Sequence, residues 1–487
     1  MKDSFVDLDA VGQAALVRSR AAKPSELVEA AIRRIEAGND KLNAVILPAF
    51  ERALDRARQL EAEHRDFDFQ SPPLVGVPIL MKDLGGQEAG APCHLGVGAL
   101  KRAGWVETAN SYFTERLQRA GVVSLGRTNT PELGLMPVTE PLAYGATRNP
   151  WNLQHSPGGS SGGASAAVAA GFVPVAHASD GGGSIRTPAA HTGLVGLKPT
   201  RGRSSFGPFY GERWGGFSCE LVVSRTVRDT AAFLDVVAGP MPGDPYAAAP
   251  PERPFAAQLG LPVRPLRIGV MMRSPNGQLA VHPDCIRGVE IAAQALAGLG
   301  HVVDESHPEA LDDPANTQGH VIVVACNVGR ALDAIGQKLG RSLTSDDVEP
   351  LTWTLAQLAQ GLPAPKYIEA VDAVHGLGRR MAAWWEQGFD LLLTPTTAQP
   401  APEIGALNVS AENPLADWAK SAPFATFTSP FNQTGQPAIS LPLHVGAAGI
   451  PIGTQLVAAY GREDLLLRVA AQLEQICPWR NRRPPGW

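Results

Sequence analysis

From Ser25 onward, apolar residues return at Leu27, Val28, Ala31, Ile32 and Ile35 with Glu and Arg between them, the spacing of one buried face on an amphipathic helix. "NAVILP" then predicts a short buried strand, and "ERALDRARQLEAEHR" (51–65) a solvated helix. The run "LVGVPILMKDL" (74–84) is compact, apolar and bounded by Pro and Gly, which predicts a strand buried on both sides. A helix over 110–120 leads into the strand-like "GVVSLGRTN", and "GGASAAVAAGFVPVAHASD" predicts a helix of small residues over 163–170 and a strand over 173–178. The stretch 237–265 is rich in Pro and Ala and lacks periodicity, so it predicts a long surface connection. Beyond it come the strand "LRIGVMM", helices over 285–299, 321–339 and 367–385, and the strand "DLLLTPT". A turn-and-strand run "PFNQTGQPAISLPL", the segment "PIGTQLVAAY" and a helix over 462–474 close the chain. Short apolar runs alternating with helical patterns, and no internal repeat, predict the α/β class. Trp384, Leu391 and Leu393 read as core.

Composition narrows the setting. The chain has 487 residues, 44% hydrophobic and 18% charged, as in folded soluble proteins. A net charge of −5 gives no electrostatic footprint for nucleic acid. The five cysteines are scattered and never spaced as CxxC, which argues against a disulfide framework or a zinc site and for a reducing compartment. "MKDSFVDLDAVGQ" has no apolar core of a signal peptide. The longest stretch of small and apolar residues, 164–178, is too short and too broken by Pro and Gly to span a bilayer. These features predict a cytoplasmic protein with no nucleic-acid or membrane partner.

Candidate chemistry gathers at "SDGGGSIRTP" (179–188), three glycines followed by Ser184. Consecutive glycines let successive N–H groups converge on one point, a receptor for negative charge. That charge is either a bound phosphate or the oxyanion formed when Ser184 attacks a carbonyl; the plain alternative is a surface turn. A phosphate loop needs GxxxxGK[ST], and a dinucleotide loop needs GxGxxG with a later acid; neither spacing occurs here. Upstream, "SPGGSSGGAS" (156–165) contains GxSxG around Ser160, but the polar, Pro-containing "NPWNLQHSP" replaces the strand that a nucleophile elbow follows. Lys82 stands out in the apolar "VPILMKDL". Burial disfavours its charge, and a neutral amine is a general base for a serine hydroxyl. The alternative is a lysine snorkelling at a strand end beside Asp83.

The run "GGSSGGASAAVAAGFVPVAHASDGGGSIRTPAAHTGLVGLKPT" (158–200) resembles the amidase signature hydrolases, and "GVPILMKD", "GRTNTPELG", "GATRNPWN", "LLLTPTT", "NQTGQPAISLP" and "PIGTQLVA" extend the resemblance over nearly the whole chain. The resemblance implies one large domain over 1–487, a central mixed sheet flanked by helices, with a helical substrate-pocket region at about 310–387. It implies a Ser–cis-Ser–Lys triad on Ser184 (nucleophile), Ser160 (bridge) and Lys82 (base). It places the oxyanion hole on Gly181, Gly182, Gly183 and Ser184, loop support on Ser161, Asp180 and Arg186, and a pocket residue at Cys326. No cofactor or metal is expected, and His155, His177 and His191 read as structural. "VTEPLAYGATRNPWN", "GRSLTSDDVE" and "AAYGREDLLLRVAAQLE" resemble the branch that hydrolyses nylon oligomers, although Gly181 and Gly182 stand where alanines are expected there. Small amides are the implied substrates. Urethanases acting on carbamates are neighbours with the same triad, and a homodimer is compatible with the resemblance. A tRNA-dependent amidotransferase subunit or a non-catalytic scaffold is disfavoured, the latter because a scaffold has no use for a buried lysine.

Overall fold

The computed structural model describes residues 5–63 and 72–487. Among them, eleven strands form one mixed sheet. In spatial order, with numbering along the chain, these are β1 (Val45–Pro48), β3 (Val123–Thr128), β2 (Pro78–Lys82), β4 (Val175–Asp180), β6 (Cys219–Ser224), β5 (Val195–Lys198), β10 (Ala438–Val445), β11 (Pro451–Ala458), β9 (Leu391–Pro395), β7 (Arg267–Val270) and β8 (Val302–Glu305). The strand β2 runs parallel to both β3 and β4, and β7 runs parallel to both β8 and β9. The remaining neighbours pair antiparallel. Every residue of β2, β4, β5, β6, β9 and β11 is buried. Alternate residues face opposite sides of a sheet, so both faces are covered by packed structure. Exposed strand positions occur at the ends of the edge strands β1 and β8 and at Arg267, the first residue of β7.

The helices follow the periodicity closely. Pro24–Leu42 buries Leu27, Val28, Ala31, Ile32 and Ile35, and the solvated helix is Phe50–Glu63, with positions 64 and 65 outside the described residues, as are 1–4 at the N-terminus. The small-residue helix is Gly162–Ala169, buried along its whole length. Its glycines are steric requirements: a Cβ on Gly163 would lie 2.4 Å from the Asn129 backbone nitrogen. Trp384, Leu391 and Leu393 are core residues.

Two expectations change. The run "PFNQTGQPAISLPL" is not turn and strand throughout, because Ser429–Thr434 is a helix with a proline in its first turn and Gly435 closing it in the left-handed region. The predicted strand 74–84 is regular only over Pro78–Lys82. Between the helix Val227–Val237 and β7 the chain forms one short 3-10 turn, Ala256–Gln258. It is pinned where Asp235 accepts the N–H groups of Phe255 and Ala256 at 2.6 and 2.9 Å. The region after β8 is helical: Asn316–Leu339, Pro350–Gln360 and Ala364–Trp385. Asn316–Leu339 is the one described helix long and apolar enough to cross a membrane, but it packs Val324, Val328, Leu332 and Ile335 against Leu351 and Leu355 of its neighbour.

Candidate active site

The parallel strands β2 and β4 end side by side, and in α/β sheets the crevice beyond such carboxyl ends is where ligands bind. Lys82 is the last residue of β2, and Asp180 is the last of β4. Lys82 is fully buried, and Nζ donates to Ser160 Oγ at 2.7 Å and to Ser179 Oγ at 3.0 Å. It makes no pair with Asp83, whose carboxylate turns the other way to accept the N–H groups of His94 and Gly96 at 2.7 and 3.0 Å. Burial pulls the Lys82 ammonium down to about 7; the charges of Asp180 and Glu220 oppose this, and that of Arg213 assists. A buried lysine at such a value is in large part a neutral amine near pH 7.

Ser160 follows a cis peptide bond from Gly159 and is buried. Ser161 holds the next turn by accepting the Ser179 N–H at 3.3 Å and donating Oγ to the Ser179 carbonyl at 3.2 Å. Ser184 is half-buried and lies between two cavities. A small one is lined by Ser160, Ser179, Gly181, Arg213, Trp214 and Ser218 as well as Ser184. The other, about 510 Å³, opens beyond Gly182 toward Met136, Trp214, Leu279, His320 and Phe424.

The glycine run is shaped by Asp180. Its carboxylate accepts the N–H of Gly183 at 2.7 Å and that of Ile185 at 3.2 Å. Gly183 has φ +136°, and a Cβ there would meet Thr428 Oγ1 at 2.4 Å, so no other residue fits. Of the four N–H groups expected of an oxyanion hole, that of Gly183 is therefore committed to Asp180. Those of Gly181, Gly182 and Ser184 donate to no group among the described residues. Arg186 meets Asp180 side-on, Nε to Oδ2 at 2.9 Å and Nη2 to Oδ1 at 3.0 Å, with both side chains fully buried. Burial alone would raise the Asp180 carboxyl, and the charge and hydrogen bonds of Arg186 and Asn432 more than reverse this, holding it well below the usual carboxylate range.

His177 lies close to the lysine, and its Nδ1 accepts the Lys82 backbone N–H at 3.3 Å. Burial pushes its imidazole well below the ordinary value, helped by the charges of Arg127, Lys82 and Arg213. It is a neutral packing element. His191 packs its ring edge-on against Phe424, and His155 bridges the backbone to Glu403. Cys326 is not brought to this group. The cavity wall on its helix consists of Asn316, Thr317, His320 and Val321, and at about 100° per residue Cys326 points away from that face. Sequence reasoning overlooked Ser179, Arg213, Trp214, His320 and Thr428. Ser179 had a local signal, standing five residues before Ser184 in the same motif. The others come from distant loops and helices that carry no motif.

Comparison with known proteins identifies the family. Residues 26–467 match the Amidase family. The chain is 44% identical to the 6-aminohexanoate-cyclic-dimer hydrolase of Paenarthrobacter ureafaciens over 490 residues, covering 99% of this chain and 97% of that protein. A solved 6-aminohexanoate cyclic dimer hydrolase complexed with substrate superposes with a TM-score of 0.94 at 43% identity, covering 99% of each chain. A bacterial aryl acylamidase of the amidase signature family superposes with a TM-score of 0.87 at 29% identity over 97% of this chain and 96% of that one. The chain belongs to the amidase signature family and is an amidohydrolase.

Proposed function

We propose that this enzyme cleaves the C–N bond of small, non-peptide amides, of the nylon-oligomer or aryl-amide type, through an acyl-enzyme on Ser184. The observation that carries the reading is the 2.7 Å contact between Lys82 and Ser160 in a cavity that Ser184 shares. Neutral Lys82 takes the Ser160 proton over that contact while Ser160 Oγ takes the proton of Ser184. Ser184 Oγ bonds to the carbonyl carbon, and the carbonyl oxygen becomes an oxyanion facing the N–H groups of Gly181, Gly182 and Ser184. Donors in place before charge develops are the efficient arrangement for this step. As the C–N bond breaks, the relay runs in reverse and delivers the proton to the departing amine nitrogen. Water, deprotonated by the same relay, then releases the acid and restores Ser184. The 510 Å³ cavity, with Met136, Trp214, Leu279 and Phe424 in its wall, suits an alkyl or aryl chain.

The test is a Ser184→Ala variant checked for native folding. It should lose all turnover and all covalent labelling by a fluorophosphonate probe; labelling retained without Ser184 would refute the assignment. A panel of cyclic and linear 6-aminohexanoate oligomers, aryl amides and aryl carbamates then ranks the substrate classes by kcat/KM. The same relay can act on carbamates, so a urethanase is identified in that panel by carbamates leading.

A further inference from the structure

Arg213 lines the small cavity beside Ser184, Ser160, Ser179 and Ser218, yet its guanidinium donates to no oxygen and joins no ion pair among the described residues. Its contact is with a ring, the guanidinium carbon lying 5.2 Å from the Tyr210 centroid. Arg330, on the helix Asn316–Leu339, stands 5.2 Å from the same ring and is likewise without a carboxylate partner. Two guanidinium groups therefore share one aromatic ring, that of Arg213 at the wall of the small cavity and that of Arg330 exposed at the surface.

None of the nearby acids pairs directly with Arg213. Asp180 is held by Arg186, and Glu212 turns toward Gly216 and Arg201. Glu220 is near enough for the Arg213 charge to act on its carboxyl, but makes no hydrogen bond or ion pair with Arg213 among the described residues. No carboxylate lines the small cavity; its other polar groups are hydroxyls. A guanidinium presents a planar fork of donors matched to a carboxylate, and a ring face satisfies none of them. An unused fork next to a nucleophile is a receptor for an anionic group on the substrate.

We propose that the Arg213 side of the cavity receives a carboxylate at the non-reacting end of the substrate. The preferred amides are then those made from amino acids or dicarboxylic acids, with Arg330 adding to the field. This rests on the reading of Ser184 as the acylated nucleophile, and it adds a substrate class to that reading.

Two matched pairs of substrates test it. In the first, the mono-4-nitroanilide of adipic acid is compared with the 4-nitroanilide of 6-methylheptanoic acid, which replaces the carboxylate by an isopropyl group. In the second, the carboxylate or isopropyl group stands on the leaving aniline of a hexanoyl amide. The quantity read is the ratio of kcat/KM within a pair, in which any common effect on the chemical step cancels. The carboxylate member should lead at least tenfold in one pair, and the lead should shrink with added salt. In Arg213→Gln the ratio should fall toward one, in Arg213→Lys it should be partly kept, and in Arg330→Gln it should drop by a smaller factor. Turnover of the neutral members with no carboxylate preference in either pair overturns the proposal and leaves the amidase reading standing. No turnover of any member together with no fluorophosphonate labelling of Ser184 overturns the amidase reading itself. A wild-type preference that survives unchanged in Arg213→Gln shows that the anion is held elsewhere and also overturns the proposal.

Discussion

The proposed role of Lys82 as a base rests on neighbours that remove water without supplying an ion pair. Val77, Ile79, Leu80 and Met81 are buried with it, and the two hydroxyls of Ser160 and Ser179 give its nitrogen neutral partners. Burial brings its value to about 7, so the protonated form, which cannot accept from Ser160, dominates below that pH. The sign follows directly: kcat/KM should climb about tenfold per pH unit on the acid side and level off once Lys82 is neutral. Lys82→Arg should lower kcat/KM by about 10² to 10⁴ at every pH from 6 to 9, because a guanidinium keeps its proton throughout that range. Near-UV circular dichroism would check that the variant is folded. A fully active Lys82→Arg enzyme would reduce Lys82 to a structural charge and remove it from the relay.

At the scale of elements, the site is held by the Asp180–Arg186 pair. Arg186 opens the helix Arg186–Thr192 and reaches Gln455 of β11 at 2.8 Å, Asn432 at 2.6 Å and the Thr428 carbonyl at 3.0 Å. One guanidinium thereby joins the end of β4, the glycine loop, β11 and the helix Ser429–Thr434. Removing one partner of a fully buried pair strands the other charge, at a cost of about 3–5 kcal/mol. Arg186→Met should therefore lower the free energy of unfolding, read from urea titrations, by that amount and lower kcat, since Asp180 also fixes the Gly183 turn; an unchanged unfolding free energy would show that Asp180 finds another partner. This element also shows what the sequence made legible. Asp180, the glycines, Ser184 and Arg186 lie within one short motif, so their grouping could be read from order alone. Asn432, Thr428 and Gln455 reach the same carboxylate and guanidinium from far along the chain, and only the sheet order brings them there. The strands Val195–Lys198 and Cys219–Ser224 escaped the pattern because a strand buried on both faces has no alternation to detect. The helix Ser429–Thr434 did carry a signal, a proline in its first turn and a glycine after its end, in a segment too short for periodicity.

Across the whole molecule, the sheet body and the helical region meet over the loop that follows β3. Leu133, Leu135, Met136 and Val138 of that loop pack with Val324, Val328, Leu351 and Leu355 of the helices. Gly134, Leu135 and Met136 also form part of the larger cavity wall. The polar tie at this junction is Glu132, whose Oε1 accepts the N–H of Glu349 at 2.7 Å, immediately before the helix Pro350–Gln360. Burial first and then the Glu349 charge raise the Glu132 carboxyl to about 8, against the hydrogen bond it accepts from the Glu349 backbone. The folded chain therefore keeps a proton that the unfolded chain releases near the ordinary glutamate value of 4.5. The folded state binds more protons through this window, so the contribution of Glu132 is fully present at low pH and is lost as pH rises through about 4.5 to 8. Glu132→Gln keeps a carbonyl oxygen to accept the Glu349 N–H and removes the titration. Its melting temperature should thus gain on that of the wild type as pH rises, with a stability difference changing by about a few kcal/mol between pH 5 and pH 9. Thermal melts of both proteins at constant ionic strength decide the matter. Curves that stay parallel across the range would show that Glu132 titrates like an ordinary surface carboxylate, and that the junction is held by its apolar residues alone.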